Sequence, residues 1–255
     1  MADYVVAIPA RYASTRLPGK PLASVGGEPM IKVVCKQALQ SQASRVIACV
    51  DDERVYEVLQ GCGAEICMTS KDCRCGTDRI AQMLEKTKMP ADTVVVNVQG
   101  DEPLINPGHI DEVAKLLISS GADMATLCSK IEKIADVFDP NCVKVVMDKN
   151  GTALYFSRAP IPYERDNFGK GEVKKLQYPH YHHIGIYAYR AGTVLDYTKR
   201  EQAEIEKCES LEQLRLMHYG FKIAVGITAT PPEIGVDTKE DLKRVNEILS
   251  GKGMH

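Results

Sequence analysis

Three short stretches concentrate side chains suited to phosphate chemistry. From Pro9 to Pro21 the chain reads PARYASTRLPGKP, with Arg11, Arg16 and Lys20 close together beside Gly19 and several small residues. Cations and accessible backbone N–H groups in one loop make a cradle for a polyphosphate. The alternative, a solvated basic loop, does not account for three cations directly after a run that reads as a buried strand. The loop is neither a G-x-x-x-x-G-K-[ST] phosphate loop nor a G-x-G-x-x-G dinucleotide turn. A second stretch, Asn97 to Pro103, reads NVQGDEP. There Asp101 follows a glycine that permits close backbone approach. A carboxylate so placed suits Mg²⁺, which takes one or two carboxylates plus substrate phosphates; a turn aspartate capping the next helix is the plainer alternative. A third, Gly235-Val-Asp237-Thr238, either caps the last helix or brings a second metal-ligating carboxylate beside Asp101. Together these point to nucleotidyl transfer, with attack on an α-phosphorus and departure of pyrophosphate. Such a reaction needs positioning and charge neutralisation more than a covalent nucleophile. No G-x-S-x-G occurs, and no Cys or His has a spacing that supports a nucleophile.

The elements that must position these residues alternate. Apolar runs at Tyr4–Ile8, Arg45–Val50 and Thr93–Val98 suit strands buried on both faces of a parallel sheet. Stripes at Met30, Val33, Val34 and Ala38, at Ile80, Met83 and Leu84, and at Ile110, Val113, Ala114 and Leu117 have helical spacing, the last after Pro107 near a helix start. Strand–helix–strand repetition predicts right-handed units in an α/β fold: a single-domain, mostly parallel Rossmann-like sheet flanked by helices. In an open sheet of this kind ligands bind at the carboxyl ends of the strands, where all three stretches fall. After about residue 122 the rhythm changes. Val143–Met147 and Ala153–Phe156 flank Asn150-Gly151 and predict a hairpin, a small β-hairpin subdomain. Ile184–Tyr189 and Lys222–Ile227 read as strands, and 163–180 as an exposed polar loop. Ser210 to Tyr219 reads as a helix capped by Ser210. Thr238 to Asp241 opens a last helix with Leu242, Val245, Ile248 and Leu249 on one face, and 251–255 as a frayed tail.

With 255 residues the chain can bury a large core without staples. A net charge of −2 argues against a dedicated nucleic-acid binder. Nine cysteines without a C-x-x-C are expected to be reduced, mostly buried thiols of a cytoplasmic protein. The cluster Cys62, Cys67, Cys73 and Cys75 has poor spacing for zinc. No leader pattern opens the chain and no apolar run is long enough to span a membrane.

The first stretch, Ile8 to Leu22, resembles the N-terminal signature of the 3-deoxy-manno-octulosonate (Kdo) cytidylyltransferase family. The resemblance continues through Gly76–Arg79, Asn97–Pro103, Ala153–Arg158, His183–Tyr187, Leu211–Arg215 and Gly235–Asp237. The first block recurs in cytidylyltransferases for sialic-acid-like sugars; the Tyr155–Arg158, His183–Tyr187 and Leu211–Arg215 blocks are far more specific to the Kdo branch. The resemblance implies a nucleotidyltransferase domain over 1–250, its CTP-binding part over about 1–120 and its sugar-binding and dimerisation part over about 121–230. It implies transfer of CMP from CTP to the anomeric 2-hydroxyl of Kdo with Mg²⁺, in the cytoplasm, for lipopolysaccharide synthesis, by a homodimer. An acceptor such as 8-amino-Kdo or another ulosonic acid, and a non-catalytic nucleotide-binding module, are the alternatives. By resemblance Arg11, Arg16 and Lys20 bind the triphosphate, with Pro9 and Ala10 near the base and Gly76, Thr77 and Arg79 in the nucleoside pocket. Arg11, Lys20, Asp101 and Asp237 are the implied catalytic residues, and the two aspartates the metal ligands. Gln99, Arg158, Arg165, His183, Tyr187 and Glu212 form the implied sugar site, with Arg158 forking onto the sugar carboxylate. One departure is Cys75, where the family more often has Ser; a thiol is a weak hydrogen-bond donor.

Overall fold

In the computed structural model, which describes residues 3–169 and 173–251, the first apolar run is strand β1 (Tyr4–Ala10), buried throughout. Its side chains serve two cores in alternation: Tyr4, Val6 and Ile8 join one apolar cluster, Val5 and Ala7 the other. A strand covered on both faces needs no polar alternation, which explains the continuous run in the sequence. A small ribbon follows, β2 (Ser24–Val25) and β3 (Glu28–Pro29), turning at Gly26 and Gly27. Then come α1 (Met30–Ala38), β4 (Arg45–Val50), α2 (Glu53–Leu59), β5 (Glu65–Met68), α3 (Gly76–Thr87), β6 (Val94–Asn97) and α4 (Pro107–Ser120). The second half contains β7 (Met124–Lys130), α5 (Ile134–Phe138), β8 (Lys144–Met147), β9 (Ala153–Ser157), β10 (Tyr181–Arg190), α6 (Ala191–Tyr197), α7 (Glu204–Glu209), α8 (Gln213–His218), β11 (Ile223–Ile227) and α9 (Lys239–Leu249).

The main sheet runs β11-β7-β10-β6-β1-β4-β5, and the β8–β9 hairpin joins it through β8 and β10. Every neighbouring pair on the main path is parallel except those of β10, which is antiparallel to both β6 and β7. Helices α1, α2 and α4 cover one face, and α3, α6 and α8 the other. The predicted α/β class, mostly parallel and flanked by helices, is the fold observed. From β1 the order proceeds to β4 and β5 on one side while β6 lies on the other. That reversal opens a crevice beyond the carboxyl ends of β1 and β6. The crossing is tight: a Cβ at Gly100, just past β6, would stand 2.8 Å from the Pro9 carbonyl oxygen.

The Asn150-Gly151 hairpin forms as predicted. Gly151 has a φ of 79°, and the Asp148 carboxylate accepts from the Asn150 and Thr152 amides. Other readings change. Ser210 does not cap a following helix: with φ of 52° it terminates α7, and α8 begins only at Gln213. A serine in left-handed geometry looks, in sequence, like one at a helix start. The 163–180 segment is not simply exposed, although Arg165 and Tyr178 are. Glu164 and His180 are buried within it. The Glu164 carboxylate accepts from the Gln177 and Tyr178 amides and from Asn167, and His180 Nε2 lies 2.9 Å from the Pro162 carbonyl. On α9, Val245 is buried and Leu242 partly so, but Ile248 and Leu249 are exposed. Of the expected frayed tail, 252–255 lie outside the described residues. Cys35, Cys49, Cys128 and Cys142 are buried, the others partly or fully exposed, and all nine cysteines are free thiols.

Candidate active site

The loop after β1 is braced from its neighbours. The Asp51 carboxylate, at the end of β4, accepts the Tyr12 amide at 2.8 Å and the Arg79 guanidinium at 2.9 Å. The Arg54 guanidinium lies 3.7 Å from the centre of the Tyr12 ring. Tyr12 in turn packs under Gly19, whose φ of 68° suits a residue without Cβ. This turn launches a short 3₁₀ segment, Lys20–Leu22, and aims Lys20 at both aspartates. Its Nζ donates to Asp101 Oδ2 at 2.5 Å and to Asp237 Oδ1 at 3.0 Å, while Arg16 reaches Asp237 Oδ2 at 3.1 Å. Burial works against the Lys20 charge, but the two carboxylates outweigh it and hold its pKa above the usual value.

Two distant parts of the chain meet here because the Val236 amide donates to the Asp101 carbonyl at 2.8 Å. Val236 also packs with Leu17, Val25, Met30 and Val245, so the loop after β1 and α9 share one apolar cluster. Thr238 caps α9 and is engaged reciprocally by Asp241, which leaves the Asp237 carboxylate for the site. The helix-capping alternative for Asp237 is therefore excluded. The donor set is two carboxylates converging on a cation, with open space beside them. It fits Mg²⁺, whose remaining positions go to water and phosphate oxygens.

Helix α3 closes the other side. Cys75 caps it, its Sγ accepting from the Asp78 amide at 3.5 Å. A Cβ on Gly76 would stand 3.2 Å from the Pro9 ring. Here the thiol performs the capping task that a serine hydroxyl usually fills.

Two cavities result. One, of about 470 Å³, is lined by Pro9, Ala10, Arg11, Arg16, Lys20, Cys75, Gly76, Arg79, Gln99, Asp101 and Asp237, with Ser14, Thr15 and Glu212 among others. The second, of about 290 Å³, is walled by Tyr187, Tyr189 and Tyr197, by the amides of Asn97, Gln99 and Gln213, and by Thr77, Glu102, Gly185 and Glu212. Gly76, Gln99 and Glu212 belong to both. The Glu212 carboxylate accepts from Thr77 at 3.1 Å and lies 3.5 Å from the Tyr197 hydroxyl. Desolvation, reinforced by Asp101, pushes the Glu102 carboxyl up to about 8.

Residues 5–223 match the model of a family described as cytidylyltransferase. A 3-deoxy-manno-octulosonate cytidylyltransferase of Vibrio cholerae is 53% identical over 248 residues, covering 97% of this chain and 98% of its own. The chain belongs to the 3-deoxy-manno-octulosonate cytidylyltransferase family. Relatives of the same name from Aliivibrio fischeri and Aeromonas hydrophila are 53% and 51% identical, each across 97% of this chain and 99% of their own. A solved CMP:2-keto-3-deoxy-manno-octonic acid synthetase complexed with CTP superimposes with a TM-score of 0.87 at 38% identity, covering 99% of this chain and 100% of that one. A cytidylyltransferase from Leptospira borgpetersenii, 15% identical with a TM-score of 0.63, shares the fold. The protein is thus a nucleotidyltransferase.

Within this cytidylyltransferase the residues expected at the nucleotide and metal sites come together around the larger cavity. Thr77 is the exception; it lines the second cavity. Arg79 is on the wall, but its guanidinium is held by Asp51, Thr69 and the Ser70 carbonyl. Of the six residues expected at the sugar, Gln99, Tyr187 and Glu212 line the second cavity. Three do not. Arg158 donates to the carbonyls of Glu209, Pro140 and Ser210, so its guanidinium is spent on bracing backbone rather than presented to a ligand. Arg165 is exposed on the 163–180 segment. His183 is buried against Phe156 and Tyr187, its Nε2 lying 3.0 Å from Thr126 Oγ1, and burial pushes it down to about 3. That is a core histidine, neutral at physiological pH, set directly behind Tyr187.

Asn97, Glu102, Tyr189, Tyr197 and Gln213 were not anticipated. An amide closing an otherwise apolar strand marked Asn97 in the sequence. The others depend on contacts between elements far apart. An irregularity in the β10–β7 register between Ile184 and Tyr187, where Thr126 Oγ1 lies within reach of the Ile184 and Ile186 carbonyls, sets Gly185 and Tyr187 at the cavity. Such bulges re-aim side chains next to active sites, and nothing in the local sequence announces this one.

Proposed function

We propose that the protein transfers CMP from CTP to the anomeric 2-hydroxyl of Kdo and releases pyrophosphate, with Mg²⁺. The observation that carries this reading is the shared wall: a cationic, carboxylate-edged cavity and a tyrosine- and amide-lined one meet at Gly76, Gln99 and Glu212. Substrates bound on the two sides would meet there, and holding two reactants in register removes much of the entropic barrier to their reaction. The names of the relatives supply the two substrates.

In this reading Arg11 and Arg16, both exposed at the cavity, neutralise the triphosphate, and Lys20 stands at the junction of phosphates and carboxylates. Asp101 and Asp237 hold Mg²⁺, which when bound offsets the charge of the triphosphate and of the leaving pyrophosphate. The backbone of Pro9 and Ala10 and the first turn of α3 line the base and ribose. Gln99 and Glu212 orient the acceptor hydroxyl towards the α-phosphorus, while Tyr187, Tyr189 and Tyr197 exclude water that would otherwise compete. Arg158 acts at one remove, holding the carbonyls of Glu209 and Ser210 that lead into the Leu211–Gln213 wall. The same reading carries a homodimer and a cytoplasmic place in lipopolysaccharide synthesis. Among the described residues no helix is long and apolar enough to cross a membrane.

Glu212 in the second cavity also suits an ammonium-bearing acceptor, which favours 8-amino-Kdo as the second reading. Pyrophosphate release is measured with CTP and Mg²⁺ against Kdo, 8-amino-Kdo and other ulosonic acids, and with other nucleotides in place of CTP. Release with CTP and Kdo supports the proposal, and a higher kcat/KM for 8-amino-Kdo favours the second reading. CTP binding without release for any acceptor would make the protein a nucleotide-binding module and end it.

A further inference from the structure

We propose that Arg54, which lies outside both cavities, is a positioning residue for Lys20: it clamps the Tyr12 ring, and the ring supports the turn that aims the lysine. The inference rests on the function proposed above and adds a residue to its phosphate side. Arg54 stands in the first turn of α2, its side chain 58% exposed. Its Nε and Nη2 donate to the two Asp52 carboxylate oxygens at 2.7 and 2.8 Å. Asp52 is itself fixed, because it caps α2 by accepting the Arg54 amide at 3.1 Å. An exposed ion pair of this kind contributes little to stability, but the two-pronged contact holds the guanidinium in one plane. That plane is laid over Tyr12, with the guanidinium carbon 3.7 Å from the ring centre, well inside the range of a cation–π contact.

The ring's other neighbour is the turn. A Cβ at Gly19 would stand 3.2 Å from Tyr12 Oη and 3.4 Å from its Cζ, so the Gly19 backbone rests directly on the ring. The Leu22 amide donates to the Gly19 carbonyl at 2.8 Å and the Ala23 amide to the Lys20 carbonyl at 3.1 Å. These bonds close the 3₁₀ segment, so the place of Gly19 sets the place of Lys20. The Tyr12 backbone is anchored separately, by the Asp51 carboxylate, whereas its ring is held between Arg54, Gly19 and the apolar cluster on that face. Without Arg54 the ring can turn about its side-chain bonds, and the Gly19 turn loses its support. Lys20 reaches Asp101 and Asp237 at 2.5 and 3.0 Å, and displacing such a group by about 1 Å can cost about 10²-fold in rate. Losing Arg54 can shift the loop away from this arrangement by no more than the contact is worth.

The test is a double-mutant cycle between Arg54→Met and Tyr12→Leu, with Tyr12→Phe as the variant that keeps the ring. Each protein is assayed for kcat/KM of CTP and KM of Kdo by pyrophosphate release, for CTP affinity by calorimetry without acceptor, and for Tm. Arg54→Met should lower kcat/KM for CTP about 3- to 10-fold, the worth of a partly desolvated cation–π contact. The KM of Kdo should stay within about twofold and Tm within about 3 °C. Tyr12→Leu should lose about 10- to 100-fold, and adding Arg54→Met to it should cost less than about twofold more, because the cation then has no ring to hold. In Tyr12→Phe, Arg54→Met should cost as much as it does in the unsubstituted protein. A smaller fall than expected in folded Arg54→Met overturns the proposal, whether or not Tyr12→Leu folds. So do additive losses in the double variant, or losses that appear in the KM of Kdo and in Tm instead. If the unsubstituted protein binds CTP but releases no pyrophosphate with any acceptor, the function proposed above fails, and the same cycle read in CTP affinity still decides the role of Arg54.

Discussion

Replacing Lys20 by Met should tighten the binding of a divalent cation while slowing turnover. The ammonium lies 2.5 Å from Asp101 Oδ2 and 3.0 Å from Asp237 Oδ1, so the two oxygens are within about 5.5 Å of each other and share one counter-cation. A metal ion entering nucleotide-free protein must displace that ammonium or accept its repulsion. At an effective dielectric of about 20, unit charges about 4 Å apart interact by about 4 kcal/mol. The side chains of Lys20, Asp101 and Asp237 are 17%, 32% and 49% exposed, and Arg16 remains on Asp237, so solvent and the second cation reduce the gain to about 1–2 kcal/mol. That corresponds to roughly tenfold tighter binding. Manganese serves as the probe: its free ion gives an electron paramagnetic resonance signal that falls on binding, and the titration needs no nucleotide. In parallel, kcat should fall by about 10²- to 10³-fold, the usual consequence of removing a group that stabilises developing charge. Equal or weaker Mn²⁺ binding by folded Lys20→Met would refute the argument that the lysine competes for the carboxylates.

Other expectations follow from single contacts. Asp101→Asn should fold normally and lose at least about 10² in turnover; a well-folded variant of near-normal kcat would remove Asp101 from the metal site. Gly100→Ala drives a methyl against the Pro9 carbonyl and should cost about 1–3 kcal/mol, read as a lowered urea midpoint with a raised KM for CTP, and an unchanged midpoint would mean the β1–β6 crossing is looser than described. His183 should make the protein acid-labile. Its folded pKa of about 3 lies below the ordinary 6.5, so its contribution is complete above pH 6.5 and is lost as pH falls towards 3, by up to about 5 kcal/mol. Urea unfolding of His183→Gln between pH 7 and pH 4 should show a shallower loss than that of the unsubstituted protein; parallel curves would assign the acid lability elsewhere. Arg158→Lys cannot serve three carbonyls at once and should lower stability by about 1–2 kcal/mol, with a larger effect on Tm than on the KM of Kdo; the opposite ordering would return Arg158 to direct contact with the sugar.

Much of this molecule was legible in one dimension. Continuous apolar runs at Tyr4, Arg45 and Thr93 announced strands covered on both faces, because such strands bury every side chain. The cations after β1 and Asp101 after β6 were identifiable by type and by their place past strand ends, where an open sheet gathers ligands; Asp237 was identifiable by type, but it lies well beyond β11, directly before the cap of α9. Strand β7, the β2–β3 ribbon, strand β5 and helices α2, α5, α6 and α7 were not anticipated. Apart from β7, these are short elements whose periodicity is hard to distinguish from loop.

What the tertiary structure alone decided is which of those side chains remain available. A type and a spacing identify a guanidinium or an imidazole but not its partners. Arg158 is consumed by the carbonyls of Glu209, Pro140 and Ser210, Arg79 by Asp51, and His183 by the core. Asn97 and Gln213 each retain a polar atom without a partner among the described residues. The hydrogen bond from Val236 to Asp101 that joins two aspartates far apart in the chain, and the bulge that brings Gly185 and Tyr187 to the cavity, depend on packing between elements remote in sequence. Local composition determines where a strand ends and what charge it carries there; burial and pairing, which are sums over the whole fold, determine whether that charge is left free to act.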